Sequence, residues 1–148
     1  MSKFALVLPM LFCLALALPA QQNPTEPNAA AAPPIPAEAK KTPNPVPSSP
    51  ESLARAKKWW TIDCVSCHAK EGTGKGDLAR DMKLKMPDFT DPAILKDRTD
   101  GELFYIIKNG YKDMPPEGPR VKTEENWDLV NYVRFLANKK PEAESKAQ

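Results

Sequence analysis

The chain has 148 residues, with 21 lysine and arginine residues, 19 aspartate and glutamate residues and a formal net charge of +2. This length leaves room for one domain of ordinary size, and the near-neutral charge carries no electrostatic footprint of nucleic-acid binding. One histidine and three cysteines do not provide two cysteine pairs.

The first twenty residues have the pattern of an export signal. A single lysine precedes an apolar run over residues 4–18, and small residues follow, as in secretory signal peptides. The run is shorter than the roughly 20 apolar residues of a membrane span. We therefore expect residues 1–20 to be a signal peptide, cleaved after Ala17 or Ala20, and the protein to be periplasmic or otherwise exported. An uncleaved N-terminus would instead tether it to a membrane.

A proline-rich segment follows at residues 21–48. It contains an alanine run at residues 29–32, and its clearly apolar side chains are Ile35 and Val46. Such a stretch buries too little surface to offset its ordering entropy, and proline biases it toward extended polyproline II. We predict a disordered linker that either spaces the domain from a membrane or a partner, or has no defined role. Residues 141–148 are predicted to be a disordered tail.

Residues 49–140 have the composition of a folded helical domain. Helix starts are predicted at three capping residues, Ser49, Asp91 and Thr99, and the last helix is predicted to open at Thr123. Proline follows the first two caps, where the first helical residue needs no backbone donor, and Thr99-Asp100-Gly101-Glu102 is a capping box. No stretch alternates apolar and polar residues as a strand does. The predicted fold class is all-α, with about four helices.

Two cysteines and the only histidine form one motif, Cys64-Val65-Ser66-Cys67-His68. Cys13 lies in the signal segment and would leave with it, unless it is lipidated. Apolar residues at steps of three and four place Cys64 and Cys67 on the buried face of the first helix and its continuation. Two thiols about one helical turn apart suit the two vinyl groups of a protoporphyrin, and His68 can reach the iron from one face. The motif predicts covalent attachment of one haem c.

Three other interpretations of the cysteine pair were considered. Zinc needs about four ligands, whereas the mature chain offers three. A thioredoxin-like dithiol expects a βαβ setting, which the helical pattern does not provide. A plain disulfide is compatible with export but leaves His68 unexplained.

In the stretch from about Glu51 to Ala137, the chain resembles the class I (mitochondrial-type) cytochromes c, in particular their small bacterial monohaem members. The motifs that carry the resemblance are, in order, the residues 64–68, Gly72-Thr73-Gly74-Lys75-Gly76-Asp77, Met86-Pro87-Asp88-Phe89-Thr90, Asp113-Met114-Pro115-Pro116 and an aromatic C-terminal helix. The resemblance implies helices wrapped around the haem, with the first and last helices crossing near one haem edge. Trp60 with Trp127 or Tyr132 are the candidates for that crossing, although ordinary core aromatics would show the same pattern.

The resemblance also implies ligands for the iron on both faces of the ring. His68 is the proximal ligand, and Met114, in the loop before the last helix, is the expected sixth ligand. Met86 is the alternative. Pro87 corresponds to a proline whose carbonyl accepts a hydrogen bond from the proximal histidine and so orients the ring. Since the chain has one histidine, ligation by two histidines within a monomer is impossible.

The glycines of residues 72–77 superficially resemble a phosphate-binding loop. They follow a haem motif rather than a strand, and no Ser or Thr follows Lys75, so a nucleotide site is not expected. Their expected role is to allow positive φ and a close pass of the backbone over the haem edge.

These features predict a function in electron transfer. Iron bound by both His68 and Met114 has no free position for a substrate, so we expect a monomeric one-electron carrier rather than an enzyme. Its partners would be redox proteins, a donor complex and a terminal oxidase or reductase, with no nucleic acid. The alternative is a haem enzyme or gas sensor whose sixth position is open or labile.

Overall fold

The structure, a computed structural model, describes residues 34–139. The predicted signal peptide, the first part of the predicted linker and the C-terminal tail lie outside the described residues. In chain order the elements are α1 (Ala37–Lys41), α2 (Pro50–Trp59), a π-helical turn (Trp60–Cys64), α3 (Val65–His68), α4 (Asp77–Asp81), a 3₁₀ helix (Pro92–Leu95), α5 (Asp100–Asn109) and α6 (Thr123–Asn138). Within this part of the chain the β structure is limited to an isolated bridge between Tyr111 and Met114. The all-α prediction is confirmed.

The predicted helix starts are confirmed at all four positions. The Ser49 hydroxyl accepts a hydrogen bond from the third helical residue, and Asp91 caps the 3₁₀ helix. In the capping box, Thr99 Oγ1 accepts from Glu102 N at 3.2 Å, and Glu102 Oε2 accepts from Thr99 N at 2.9 Å. Helix α6 begins at Thr123 as expected. Helix α4 was not predicted, because its cap, a glycine, supplies no side-chain hydrogen bond.

The crossing of α2 and α6 forms the centre of the domain. Tyr132 is the partner of Trp60, with ring centroids 5.4 Å apart. Trp127 instead stacks on Phe104 of α5, at 4.0 Å. The prediction that named Trp127 or Tyr132 is therefore confirmed for Tyr132 alone. The two helices thus meet through aromatic rings, which bury large areas and add specific ring contacts.

An ion pair between a half-exposed arginine and a buried aspartate joins the same two helices. Arg55 on α2 donates to Asp128 on α6 through Nε at 2.7 Å and through Nη2 at 2.9 Å. The Asp128 side chain is completely buried. The hydrogen bond from Arg55 also raises the pKa of the guanidinium. Two parallel hydrogen bonds constrain the relative orientation of the two side chains as well as their distance. They therefore help to fix the angle at which the helices cross.

Residues 34–48, which we call the strap, are not the disordered linker that the composition predicts. Asn44 donates to Asn131 on α6 at 2.8 Å, and the Asn131 amide donates in turn to the Val46 carbonyl at 3.0 Å. Lys40 lies 3.7 Å from Glu102 of α5. The physical reason for this order is that hydrogen bonds to α6, the ion pair with α5 and the packing of Val46 against the core supplement the small apolar content of the strap. The ordered domain therefore begins before Ser49.

Substitution of Gly101 by Ala should dislodge the strap. A Cβ at this position would lie 1.8 Å from the Ala39 carbonyl oxygen and 2.7 Å from that of Thr42. Alanine is ordinarily favoured over glycine in a helix by about 1 kcal/mol, yet we expect a loss of ~1–3 kcal/mol from overpacking. Urea unfolding of the full chain measures it. An exposed control, Lys58→Ala, should stay within ~0.5 kcal/mol, and stabilisation by Gly101→Ala would show that the strap does not pack there.

Candidate haem site

The attachment motif occupies the end of one nearly continuous helical segment. Helix α2 continues through the π-helical turn into α3, which ends at His68. A π turn places one more residue in the turn than an α-helix does and is frequent at functional sites. Cys64 ends that turn, and Cys67 lies one turn further on; both are half-buried. Neither of them forms a disulfide in the described part of the chain.

The loop after the motif holds its backbone in place. Gly74 N donates to the His68 carbonyl at 2.9 Å, and Gly76 N donates to the Cys67 carbonyl at 3.1 Å. A Cβ on Gly76 would lie 2.2 Å from the Ser66 carbonyl oxygen. Gly72 and Gly74 have φ of +85° and +71°, as predicted for this glycine-rich stretch. The glycines therefore allow close packing of the loop on the carbonyls of the motif.

An apolar cleft lies beside the motif. About 450 Å³ of space in and at the mouth of this cleft is not filled by atoms, and this figure includes space open to solvent. Its lining consists of Trp60, Cys64, His68, Phe89, Leu103, Ile106, Ile107, Met114, Leu129 and Val133. His68 is the one titratable side chain in that lining besides Cys64. A cleft of this composition suits a flat apolar macrocycle with a metal at its centre.

His68 is buried in this cleft as a neutral imidazole. Its ring stacks on Phe89 at 5.1 Å and lies 5.6 Å from Trp60, centroid to centroid. Burial lowers the pKa of His68 to about 4, so the imidazole is uncharged at neutral pH, as ligation requires. Its Nδ1 is buried and has no hydrogen-bond partner among the described residues. A cleft that offers one imidazole and one thioether among apolar side chains has the donor set of a haem iron.

The predicted role of Pro87 is not seen in the structure. His68 Nδ1 donates no hydrogen bond to any described residue, including Pro87. The Pro87 carbonyl oxygen instead lies against Gly74, 2.7 Å from where a Cβ would be. The 18 residues between His68 and Pro87 bring Phe89, rather than the proline carbonyl, against the imidazole ring. The positioning partner of His68 is therefore Phe89, which no motif of hydrogen-bonding residues could reveal.

Of the three methionines within residues 34–139, which are Met82, Met86 and Met114, Met114 alone lines the cleft. A reciprocal bridge holds it, with Met114 N and Tyr111 N each donating to the other's carbonyl at 3.0 Å. Gly110, with φ of +78°, begins that turn. Met82 is 57% exposed, and Met86 lies against Gly74 outside the cleft lining. The turn thus brings Met114 into the same cleft as His68.

The environment of Cys64 disfavours thiolate chemistry. Burial raises the pKa of the Cys64 thiol to about 12, and the nearby carboxylates of Glu117 and Asp63 raise it further. The thiolate is the form that attacks disulfides and binds zinc. A thiol with this pKa is poorly suited to either role, so the site does not have the chemistry of a dithiol redox centre.

The cleft walls include residues that sequence reasoning did not name. Leu103, Ile106 and Ile107 come from α5, and Leu129 and Val133 come from α6. Their helical periodicity marks them as buried, but periodicity does not say which buried face borders a cavity. Asp63, Glu117 and Arg120 also meet beside Cys64. No sequence signal connects the three, because 57 residues separate Asp63 from Arg120.

Residues 51–133 match the family model described as cytochrome c oxidase, cbb3-type, subunit III. The match extends from the first turn of α2 into α6 and therefore includes the motif and Met114. A search of curated proteins gives no match.

Solved structures that align with this chain include two c-type cytochromes. A reducing HAO-like protein complex of Kuenenia stuttgartiensis aligns at TM-score 0.54 and 24% identity, over 62% of this chain and 46% of that one. The c-type cytochrome KustC0563 aligns at TM-score 0.48 and 24% identity, over 55% and 95%. Cytochrome CL of Methylophaga aminisulfidivorans aligns at 0.45 and 23%, over 57% and 54%. The chain spans less than half the length of the first structure, and likeness at this identity concerns the fold alone.

Proposed function

Since the chain belongs to the c-type cytochrome family described as cytochrome c oxidase, cbb3-type, subunit III, we propose that it is a carrier of single electrons. It is an electron-transfer haem protein of the class I monohaem type, and its cofactor is one covalent haem c with its iron. The proposal adds the ligands and the role. Cys64 and Cys67 hold the porphyrin, His68 binds the iron on one side, and Met114 binds it on the other.

One observation carries this proposal: His68 and Met114 line the same apolar cleft. A haem joined to both cysteines would have an imidazole from α3 and a thioether from the turn after α5 available for its iron. With both of them bound, the iron would have no position left for a substrate, and its chemistry would be outer-sphere transfer. A thioether ligand raises the reduction potential, which suits a carrier that delivers electrons to an oxidase.

The residues around the cleft keep the site rigid. When bound, the haem supplies a reversible one-electron couple at its iron. Trp60 donates from Nε1 to the Ala69 carbonyl at 3.2 Å, which fixes the backbone just after His68. The apolar walls exclude water and lower the local dielectric. Because the ligands are held by packed elements, they should move little between oxidation states, and a small rearrangement favours fast transfer.

Cyclic voltammetry of the purified holoprotein tests the carrier role. We expect one reversible one-electron wave that is unchanged when hydrogen peroxide, nitrite or oxygen is added. A catalytic current with any of these small substrates would contradict the proposal. It would support the alternative of a haem enzyme with a labile sixth position.

Localisation and partners belong to the same proposal. No helix within residues 34–139 combines the length and hydropathy needed to span a membrane. The signal pattern of residues 1–20 supports export, and we propose redox protein partners in the periplasm, with either a free monomer or a tether through an uncleaved N-terminus. N-terminal sequencing of the native protein separates the two forms. A mature start after Ala17 or Ala20 supports the free carrier, whereas a start at Met1 supports the tether.

A further inference from the structure

A group of three charged side chains lies beside Cys64, outside the cleft lining. This cluster, which we call the Glu117 cluster, consists of Asp63, Glu117 and Arg120. Arg120 is hydrogen-bonded to Asp63 Oδ1, and the Asp63 side chain is only 4% exposed. Glu117 is also 4% exposed. Two buried carboxylates therefore face a single guanidinium.

When both carboxylates of the cluster are ionised, their hydrogen bonding is incomplete. Glu117 Oε2 and Asp63 Oδ2 are buried without a hydrogen-bond partner among the described residues. A buried charge without full pairing is costly, and such a group tends to take up a proton instead. Arg120 is the only cation of the cluster, and it is hydrogen-bonded to Asp63. Glu117 is therefore the carboxylate that gains or loses the proton.

The cluster acts electrostatically on the attachment site. After burial, the charge of Glu117 is the largest contribution to the raised pKa of the Cys64 thiol, followed by that of Asp63. Its field therefore reaches the sulfur through which, on the proposed function, the haem is joined to the chain. A change of charge on Glu117 must alter the energy of a change of charge on the haem, and the reverse holds by linkage.

We propose that Glu117 couples proton uptake to reduction of the haem: it is ionised beside the ferric form and protonated beside the ferrous form. This inference rests on the proposed function, because it requires a haem attached at Cys64. The balance is one electron from a redox partner to the iron and one proton from solvent to the Glu117 carboxylate. No bond to the haem is made or broken.

The sign follows from charge. Ferric iron has one more positive charge than ferrous iron, so the Glu117 carboxylate stabilises the oxidised state. When reduction removes that positive charge, protonation of Glu117 becomes easier. Between the two protonation midpoints the reduction potential therefore falls as pH rises. The steepest slope is one proton per electron, a tenfold change in the equilibrium constant per pH unit, or ~59 mV.

The groups facing Glu117 come from two sides. Burial raises the pKa of Glu117 most, the charge of Asp63 from the π turn raises it further, and Arg120 lowers it. The backbone N–H of Glu117 donates to the Ile107 carbonyl at 2.9 Å and so does not neutralise the carboxylate. Substitutions of Asp63 and Arg120 should therefore shift the titration in opposite directions.

The test is a spectroelectrochemical titration of the full holoprotein at a series of pH values. In Glu117→Gln we expect the fall in potential to disappear and the potential on the alkaline side to rise. Glu124→Gln, on a side chain that is 68% exposed, should behave like the native protein. Persistence of the native pH dependence in Glu117→Gln would overturn the proposal and assign the proton to another group, such as a haem propionate.

Two further variants keep the test decisive if Glu117→Gln fails to accumulate. Asp63→Asn should move the sloping region to lower pH, and Arg120→Gln should move it to higher pH, with the slope retained. Shifts in the same direction, or no shift, would contradict the assignment. If the native protein has covalent haem and the methionine-ligand band but its reduction potential does not depend on pH, this inference alone is wrong. Absence of the haem sinks the proposed function as well.

Discussion

Replacement of Met114 by Ala should abolish the far-red absorption band of the oxidised protein and lower its reduction potential. The band arises from the sulfur-to-ferric-iron bond, and the variant removes the one methionine that lines the cleft with His68. The fall in potential should be a sizeable part of the ~0.8 V over which axial ligands set haem potentials. Near-infrared absorption and redox titration of the purified variant measure both effects.

The other methionines provide matched controls. Met82 is 57% exposed, and Met86 lies against Gly74, so Met82→Ala and Met86→Ala should keep the band and nearly the native potential. Loss of the band in Met86→Ala, with its retention in Met114→Ala, would transfer the ligand role to Met86. The two variants thus distinguish the ligand from a methionine that merely packs in the loop.

Serine at both Cys64 and Cys67 should separate the haem from the chain. After denaturing electrophoresis the native protein should retain peroxidase-active haem stain, and the double variant should lose it. The fold should weaken too, because without the haem the apolar side chains that line the cleft lose their packing partner.

The third cysteine supplies the control for this experiment. Cys13→Ser makes the same substitution at a cysteine outside the motif, and it should leave the haem stain at the native level. Retention of the stain by the Cys64→Ser/Cys67→Ser variant would contradict covalent attachment at this motif. Stain loss in Cys13→Ser alone would indicate that the N-terminal segment affects export or maturation.

Local signals in the sequence predicted the attachment motif and four of the helix starts. Cys64, Cys67 and His68 lie within five residues, and the caps at Ser49 and Thr99 act on backbone groups three residues away. Such interactions join residues that are close in the sequence, so spacing and residue type reveal them. The order of the helices and the all-α class follow from the same short-range patterns.

Features that depend on distant contacts could not be predicted. The strap is ordered by Asn44 and Val46 through Asn131, over 85 to 87 residues of separation, while its composition predicts disorder. Pro87 was assigned by resemblance, but the loop geometry places Phe89 against the imidazole. In both cases tertiary contacts, rather than local propensity, decide the structure.

The central claim, that iron held by His68 and Met114 has no open position, is tested most directly by carbon monoxide. The gas is added to the reduced holoprotein at neutral pH, and the Soret spectrum is followed with time. The proposed ligation predicts a spectrum that stays unchanged for the native protein and converts rapidly for Met114→Ala. Rapid and complete binding by the native protein would contradict it and would make the domain a gas-binding or catalytic haem protein.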